Sequence, residues 1–382
     1  MNDQANKTKV KAIDEPDIVD CIFIGTSPIC LMEACYQVAN GKKVTMVDSN
    51  NRIGGAWSPI DLFGLHEVEN AIHYFLQSPI AFEFMRKTLG WKVVESEKKY
   101  RVFEKPFLGI KKMPYDNIIG RIICRFLYEN KTENVFKRFF SAFIFTLKTP
   151  FRSSVYVKYG SAEIINSMIK FIDQYQLRPI LNSYVKDVQI MHSENLVYIK
   201  VFDKSGSNES IIRGKKIYLT HGTKIDKIGG DFGEIVLDNK IYPRPAVHIL
   251  VNDPTPDTIH ELIFMKNPLI KYVHDITQYT REAANLKGKK KIFVLALKPE
   301  VIEYPKLYDD ILYLCKKNGM VGENAYLEDY KWWDVFLPSL EDPDLREVAN
   351  KYQPMVEWIS TENFTKGIGI NVERWSTVFK NN

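Results

Sequence analysis

Several features are scarce in this 382-residue chain, and each absence narrows the field. The five cysteines, Cys21, Cys30, Cys35, Cys124 and Cys315, are odd in number, lack C-x-x-C spacing and fall mostly in apolar runs. That argues against a disulfide framework or a metal site and for buried reduced thiols in a cytoplasmic protein. No apolar run reaches the roughly 18 residues of a membrane-spanning helix, so integral insertion is not expected. Residues 1–16 are polar and mixed in charge, without the apolar centre of a secretory signal, and read as a flexible N-terminus. The chain has no phosphate loop of the G-x-x-x-x-G-K-[ST] type, no G-x-S-x-G elbow, no zinc-ligand spacing and no internal repeat. A net charge of +5 is too thinly spread to imply nucleic acid as a partner.

What is present is enough apolar sequence, 45 % of the residues, for two domains with a substantial core. The first informative stretch is DCIFIGTSPICLMEACYQVANGKKVTMVDSNNRIGGAW, Asp20 to Trp57. It reads as a strand ending at Gly25, a break at TSP, a helix stopped by Gly41, and a second strand ending at Asp48. An acid at that strand end has the spacing to accept hydrogen bonds from an adenosine ribose. The turn departs from the G-x-G-x-x-G fingerprint, because Ser27 and Cys30 occupy the second and third glycine places. Both are small, and the helix N-terminus still offers amides to an anion, so weakened nucleotide binding is expected rather than none. An α/β unit without a ligand is the plain alternative. Directly after Asp48, Arg52 offers a charge to a phosphate, Gly54 and Gly55 let the backbone pass close to a bulky ligand, and Trp57 offers a flat wall.

This arrangement resembles the two-dinucleotide-binding-domain flavoproteins: amine oxidases, protoporphyrinogen oxidase, carotenoid desaturases, UDP-galactopyranose mutase and the Rab GDP-dissociation inhibitors. The resemblance implies an α/β fold in which a Rossmann-like FAD/NAD(P)-binding domain is interleaved with a second, α+β substrate domain. It implies FAD as cofactor, with VENAIHYF placing Glu69, Asn70, Ala71 and His73 near the flavin ring. It also implies backbone contacts from Val185 to the adenine, and a strand closing at Gly222 that leads toward the cofactor. In its C-terminal signature, Glu362 and Asn363 stand where Gly-Asp is usual, followed by Gly367 and Gly369 in a turn. A helix merely covering the sheet edge is the alternative there.

Signals of the nucleotide domain recur at 17–79, 152–224 and 339–382, with 80–151 and 225–338 left for a substrate or lid domain. Within the first insertion, Phe136, Phe139, Phe140, Phe143, Ile144 and Leu147 share one helix face, edged by Lys137, Arg138 and Lys148. That face suits a substrate lid, a membrane surface or, in the plainer reading, packing into the second domain. In the second insertion PAVHILVND, IKYVHDITQY and KKIFVLALK have strand character; Trp332 and Trp333 line a cavity or fill an interface. His73, His274 and Tyr279 are the candidates for proton transfer, His73 having a core-histidine alternative.

The expected function is an FAD-dependent oxidoreductase working in the interdomain cleft on a small-molecule or lipid-like substrate, with room for peripheral membrane contact. Two alternatives stand beside it. One is a non-redox module binding a prenyl group or a protein partner, as the dissociation inhibitors do. The other is a redox-neutral UDP-sugar mutase, to which YTREAANLK bears a slight similarity with its acid misplaced.

Overall fold

The computed structural model describes residues 17–71, 73, 75–76, 82–95, 98–107, 110–128, 134–148, 154–220, 223, 225–231, 233–236, 241–255, 259–286, 289–338, 343–359 and 374–379. The apolar run IVDCIFI forms β1 (Ile18–Ile24), buried over its last four positions. Pro28, whose fixed φ suits a first helical turn, opens α1 (Pro28–Ala39). The chain returns through β2 (Val44–Val47), parallel to β1. These elements stand where the sequence places them.

They belong to an eight-stranded sheet completed by β10 (Ser183–Met191), β11 (Leu196–Asp203), β12 (Glu209–Thr220), β13 (Lys227–Gly230), β14 (Ile235–Val236) and β20 (Val356–Ile359). Its order is β14-β13-β10-β11-β12-β1-β2, with β20 beside β12. The pairs β2–β1, β1–β12 and β12–β20 are parallel, whereas β10, β11 and β12 form an antiparallel meander. The strands β13 and β14 lie in this sheet, on the far side of the boundary expected at residue 224.

Apolar residues cover both faces, as parallel strands require. On one face Leu31 and Met32 of α1 meet Phe23, Ile164 and Met168, the last two from α4 (Gly160–Gln174). On the other, Ile22, Ile24 and Val188 meet Val348 and Tyr352 around α6 (Pro343–Lys351).

A second, seven-stranded sheet has the order β19-β15-β18-β17-β16-β7-β8. These strands are β19 (Tyr326–Pro338), β15 (Ile241–Asn252), β18 (Lys290–Leu297), β17 (Ile270–Asp275), β16 (Glu261–Met265), β7 (Lys99–Phe107) and β8 (Ile110–Pro114). All pairs but β16–β7 are antiparallel. A helix, α5 (Leu307–Lys317), packs Leu307, Ile311 and Cys315 against it. Trp332 and Trp333 are therefore residues of β19, opposite Val247 and Ala246 of β15. The two sheets draw alternately on the chain, giving the interleaved α/β and α+β architecture. Two small sheets join them: the hairpin β3 (Ile60–Leu62) with β4 (Leu65–Val68), and β5 (Phe75–Leu76), β9 (Ser154–Val157) and β6 (Val93–Glu95).

Between β8 and β9 stands a helical hairpin, α2 (Ile118–Tyr128) and α3 (Val135–Lys148). The plain expectation that the phenylalanine face of α3 packs into the second domain fails. In α3 only the small residues Ala142 and Thr146 are buried, while Phe136, Phe139, Phe140, Phe143 and Leu147 are exposed. No described helix is long and apolar enough to cross a membrane.

Candidate functional site

The site grows from the turn between β1 and α1. Gly25 closes β1 and donates its amide to the Val47 carbonyl at 2.8 Å, and Ser27 caps α1 by position without its side chain accepting from a backbone amide of the helix. Ser27 Oγ instead donates to Cys30 Sγ at 3.3 Å. Cys30 is fully buried among Phe23, Leu31 and Ile164, and burial pushes its thiol up to about 11. The two side chains that replace glycines thus bond to each other, and the larger is folded into the core.

Asp48, the acid expected to meet a ribose, is already engaged within the chain. Its Oδ2 accepts from Thr26 N at 2.7 Å and Thr26 Oγ1 at 2.6 Å, and its Oδ1 from Asn50 N at 2.8 Å and Asn50 Nδ2 at 2.9 Å. A carboxylate offers about four acceptor sites. All four are taken by the protein itself, so a ribose hydroxyl has to displace one of these donors. Arg52 is likewise engaged: its Nη2 pairs with Asp61 Oδ2 at 3.0 Å on the surface. Thr26, which sequence reasoning passed over, is the organiser of this corner. It is buried, and its carbonyl and hydroxyl both accept from Gly54 N, each at 3.1 Å.

That pair of bonds lays the Gly-Gly segment against the first turn. Gly54 has φ +116°, and a Cβ there would come within 2.7 Å of Ile165 Cδ1, so both conformation and space demand glycine. Gly55, Ala56 and Trp57 follow as a single 3₁₀ turn. Asn70 holds it by donating Nδ2 to the carbonyls of Ala56 at 3.0 Å and Ser58 at 2.7 Å. Asn70 Oδ1 is buried and accepts no hydrogen bond among the described residues. Ala71 follows at a half-buried bend.

The Trp57 ring stacks on His73, with centroids 4.1 Å apart and planes at 26°. His73 Nδ1 lies 2.5 Å from Glu69 Oε1, and the two side chains are only 9 % and 4 % exposed. Glu69 Oε2 accepts from Ser161 N, also at 2.5 Å, at the start of α4. A carboxylate at a helix N-terminus is favourably placed against the dipole. Because a carboxylate only accepts, the Nδ1 of His73 carries the proton and Nε2 faces outward from the pair. From the second sheet, His248 Nε2 donates to the Glu69 carbonyl at 3.1 Å. Burial pulls His248 down to about 4, which keeps the ring neutral.

His274 and Tyr279 also come together, but away from solvent. Tyr156 stacks on Tyr279 at 4.5 Å, and His274 lies 5.3 Å from Tyr156 and 5.7 Å from Tyr279. Successive strand residues point to opposite faces, so only one of His274 and Asp275 can face a ligand; both are buried. Beside the stack, Lys99 Nζ pairs with Glu261 Oε2 at 2.9 Å, and His274 Nδ1 lies 3.7 Å from the same oxygen. Burial pushes Glu261 upward, but His274 and Lys99 outweigh it and hold the carboxyl down at about 2. Lys99 and Glu261 were missed in the sequence because no motif links positions so far apart.

Gly160 joins the two clusters. At φ +57°, a Cβ on it would lie 1.9 Å from Glu69 Oε2 and 3.4 Å from the Tyr279 carbonyl. Val185 pairs with Val201 at a bulge in β10, two residues from Ser183, whose amide donates to the Asp48 carbonyl at 3.0 Å. It shares a core cluster with Val47, the residue before Asp48. Gly222, Glu362, Asn363, Gly367 and Gly369 fall outside the described residues. Among the described residues no cluster of His, Cys, Asp or Glu is suited to a metal ion.

Comparison with solved structures gives the architecture its relatives. The chain is similar to wild-type putrescine oxidase bound to putrescine, at 13 % identity and a TM-score of 0.60 over 95 % of this chain and 97 % of that one. It is similar to reduced UDP-galactopyranose mutase, at 11 % identity and a TM-score of 0.59 over 89 % and 88 %. A Rab GDI from Plasmodium falciparum aligns at 14 % identity and a TM-score of 0.50 over 96 % and 100 %. No family model matches the chain, and no curated protein sequence matches it. At such identities the likeness is one of fold: the chain shares the mixed α/β, Rossmann-like architecture of these structures.

Proposed function

We propose that the chain is an FAD-dependent oxidoreductase that works on a small-molecule or lipid-like substrate between its two sheets. The observation that carries this reading is the first turn: Cys30 is folded into the core and Ser27 is bonded to it, so neither substitution for glycine is an obstacle of bulk at the helix N-terminus. The orphaned, buried Asn70 Oδ1 beside the Gly-Gly turn supports it further, since a buried acceptor without a donor is costly and fits a ligand that supplies one.

In this reading Gly25, Ser27 and the turn amides hold the pyrophosphate, and Val185 meets the adenine through its backbone. The face of the ring system is held by Gly54, Gly55, Ala56, Trp57, Asn70 and Ala71. Asp48 reaches the ribose by giving up an Asn50 bond, and Arg52 reaches a phosphate by leaving Asp61. The second exchange is cheap, because an exposed ion pair contributes about 0–1 kcal/mol. When bound, the flavin supplies the hydride or electron acceptor. The chain's own part is proton management at His73 Nε2, with Glu69 fixing the tautomer and Trp57 the ring plane. His274 and Tyr279 remain candidates only for proton transfer deeper in the structure.

A second reading is favoured by the saturation of Asp48 and the pairing of Arg52: a non-redox module that binds a prenyl group or a protein. The visible absorbance spectrum of freshly purified protein, with a thermal-shift titration by FAD, separates the two. A flavin spectrum, or a rise in melting temperature with FAD, supports the oxidoreductase. Colourless protein with no shift sinks it, and a stoichiometric co-purifying protein without a chromophore establishes the other.

A further inference from the structure

We propose that the α2–α3 hairpin docks the protein on an anionic lipid bilayer, with the phenylalanine face of α3 inserted into the headgroup–acyl boundary. The inference is independent of the flavin reading.

The hairpin is a built unit. Phe126 of α2 meets Phe139 of α3 edge-on at 5.8 Å, Arg138 lies 4.8 Å over the Phe126 ring, and Arg125 lies 4.1 Å over the Phe145 ring. These contacts use one side of α3, where Ala142 and Thr146 are buried. A helix advances 100° per residue, so Phe136, Phe140, Phe143 and Leu147 fall within an arc of about 60° outside the side that buries Ala142 and Thr146, with Phe139 at the border between the two. Phe136 is 85 % exposed and Phe140 64 %, and Ile118 and Ile119 at the start of α2 are exposed as well. A contiguous exposed apolar patch of this size marks an interaction surface.

Charge selects the partner. The described residues of α2 and α3 carry Arg121, Arg125, Lys137, Arg138 and Lys148 and no acid. The chain as a whole has 52 basic and 47 acidic residues, so a five-to-none imbalance on two helices is a local property. Aspartate stands just ahead of α2 at position 116, and the intervening ENKTE segment, 129–133, lies outside the described residues. An exposed aromatic stripe edged by Lys137 and Lys148, on helices that carry no acid, matches a bilayer: rings enter the acyl boundary while long cations lie along anionic headgroups. A protein partner would ask for a groove to receive the helix and acids to meet the cations.

The test is co-sedimentation of the full-length protein with vesicles of phosphatidylcholine alone and of phosphatidylcholine mixed with phosphatidylserine. Binding is expected to the mixed vesicles and to weaken as salt is raised, because the headgroup field is screened. The double variant Phe136→Ser, Phe140→Ser is expected to bind at least about tenfold more weakly while keeping the wild-type circular dichroism spectrum, since both side chains are exposed and carry no core packing. The variant Lys137→Glu, Lys148→Glu is expected to lose the preference for phosphatidylserine. Wild-type protein left in the supernatant with both vesicle types overturns the proposal, as does full binding by the phenylalanine variant. Concentration-dependent self-association abolished by that variant, with no vesicle binding, overturns it in favour of a protein interface.

Discussion

Single residues carry the junction between the sheets, and Gly160 is the most constrained of them. Its left-handed φ and the 1.9 Å approach of a hypothetical Cβ to Glu69 Oε2 leave no room for a side chain. Gly160→Ala is expected to destabilise the protein by about 2–3 kcal/mol, read as a lower urea midpoint. Two titratable groups give this junction a pH signature. His248 has a folded value of about 4 against about 6.5 unfolded, so the unfolded chain takes up the proton first. Its contribution is complete above about 6.5 and is lost as pH falls toward about 4. Glu261 is held at about 2 against an ordinary 4.5, so its contribution is present above 4.5 and lost as pH falls through 2. Urea unfolding across this range should show stability declining in both windows. His248→Gln, which keeps a donor for the Glu69 carbonyl, should flatten the upper window. Glu261→Gln removes the counter-ion of buried Lys99, and a loss of about 3–5 kcal/mol at neutral pH is expected.

At the scale of elements, what was legible follows from periodicity. The apolar run of β1, the helical spacing of α1 and the Gly41 stop are local signals, and each element stands within a residue or two of its expected place. The aromatic stripe of α3 was legible too, but its surroundings were not: a 3.6-residue period says that a face exists, not what covers it. The partners of Asp48 and Arg52 were not legible for a related reason. Spacing located the acid at the end of β2, whereas its partners, Thr26 and Asn50, depend on how two loops meet. Thr26 is therefore the test of that corner. Thr26→Val keeps the shape and the amide bond to Asp48 but removes the hydroxyl from Asp48 Oδ2 and Gly54 N. A loss of about 1–2 kcal/mol is expected in thermal or denaturant unfolding. An unchanged melting temperature would show that the hydroxyl does not brace the Gly-Gly segment.

Over the whole molecule, the first sheet is closed by the end of the chain. Glu33 is an acid in the middle of α1, only 1 % exposed, and its Oε2 accepts from Trp375 Nε1 at 2.9 Å and pairs with Arg374. Trp375 and Phe379 sit in the same core as Phe23, Leu31 and Phe171, with Phe379 edge-on to Phe171 at 4.7 Å. The helix that follows the first turn is thus held by residues some 340 positions away, an interleaving consistent with β20 pairing to β12. Burying a carboxylate inside α1 is tolerable only while those donors are present. Trp375→Ala removes both a large core side chain and a donor to Glu33, and a loss of about 3–5 kcal/mol is expected. Limited proteolysis distinguishes how that loss is distributed. If the C-terminal segment is the clasp of the first sheet, the variant is cut first near its C-terminus and in α1, while fragments spanning 241–338, which hold five of the second sheet's seven strands, persist. Cleavage spread evenly over both sheets would mean that Trp375 stabilises the molecule as one cooperative unit rather than clasping α1.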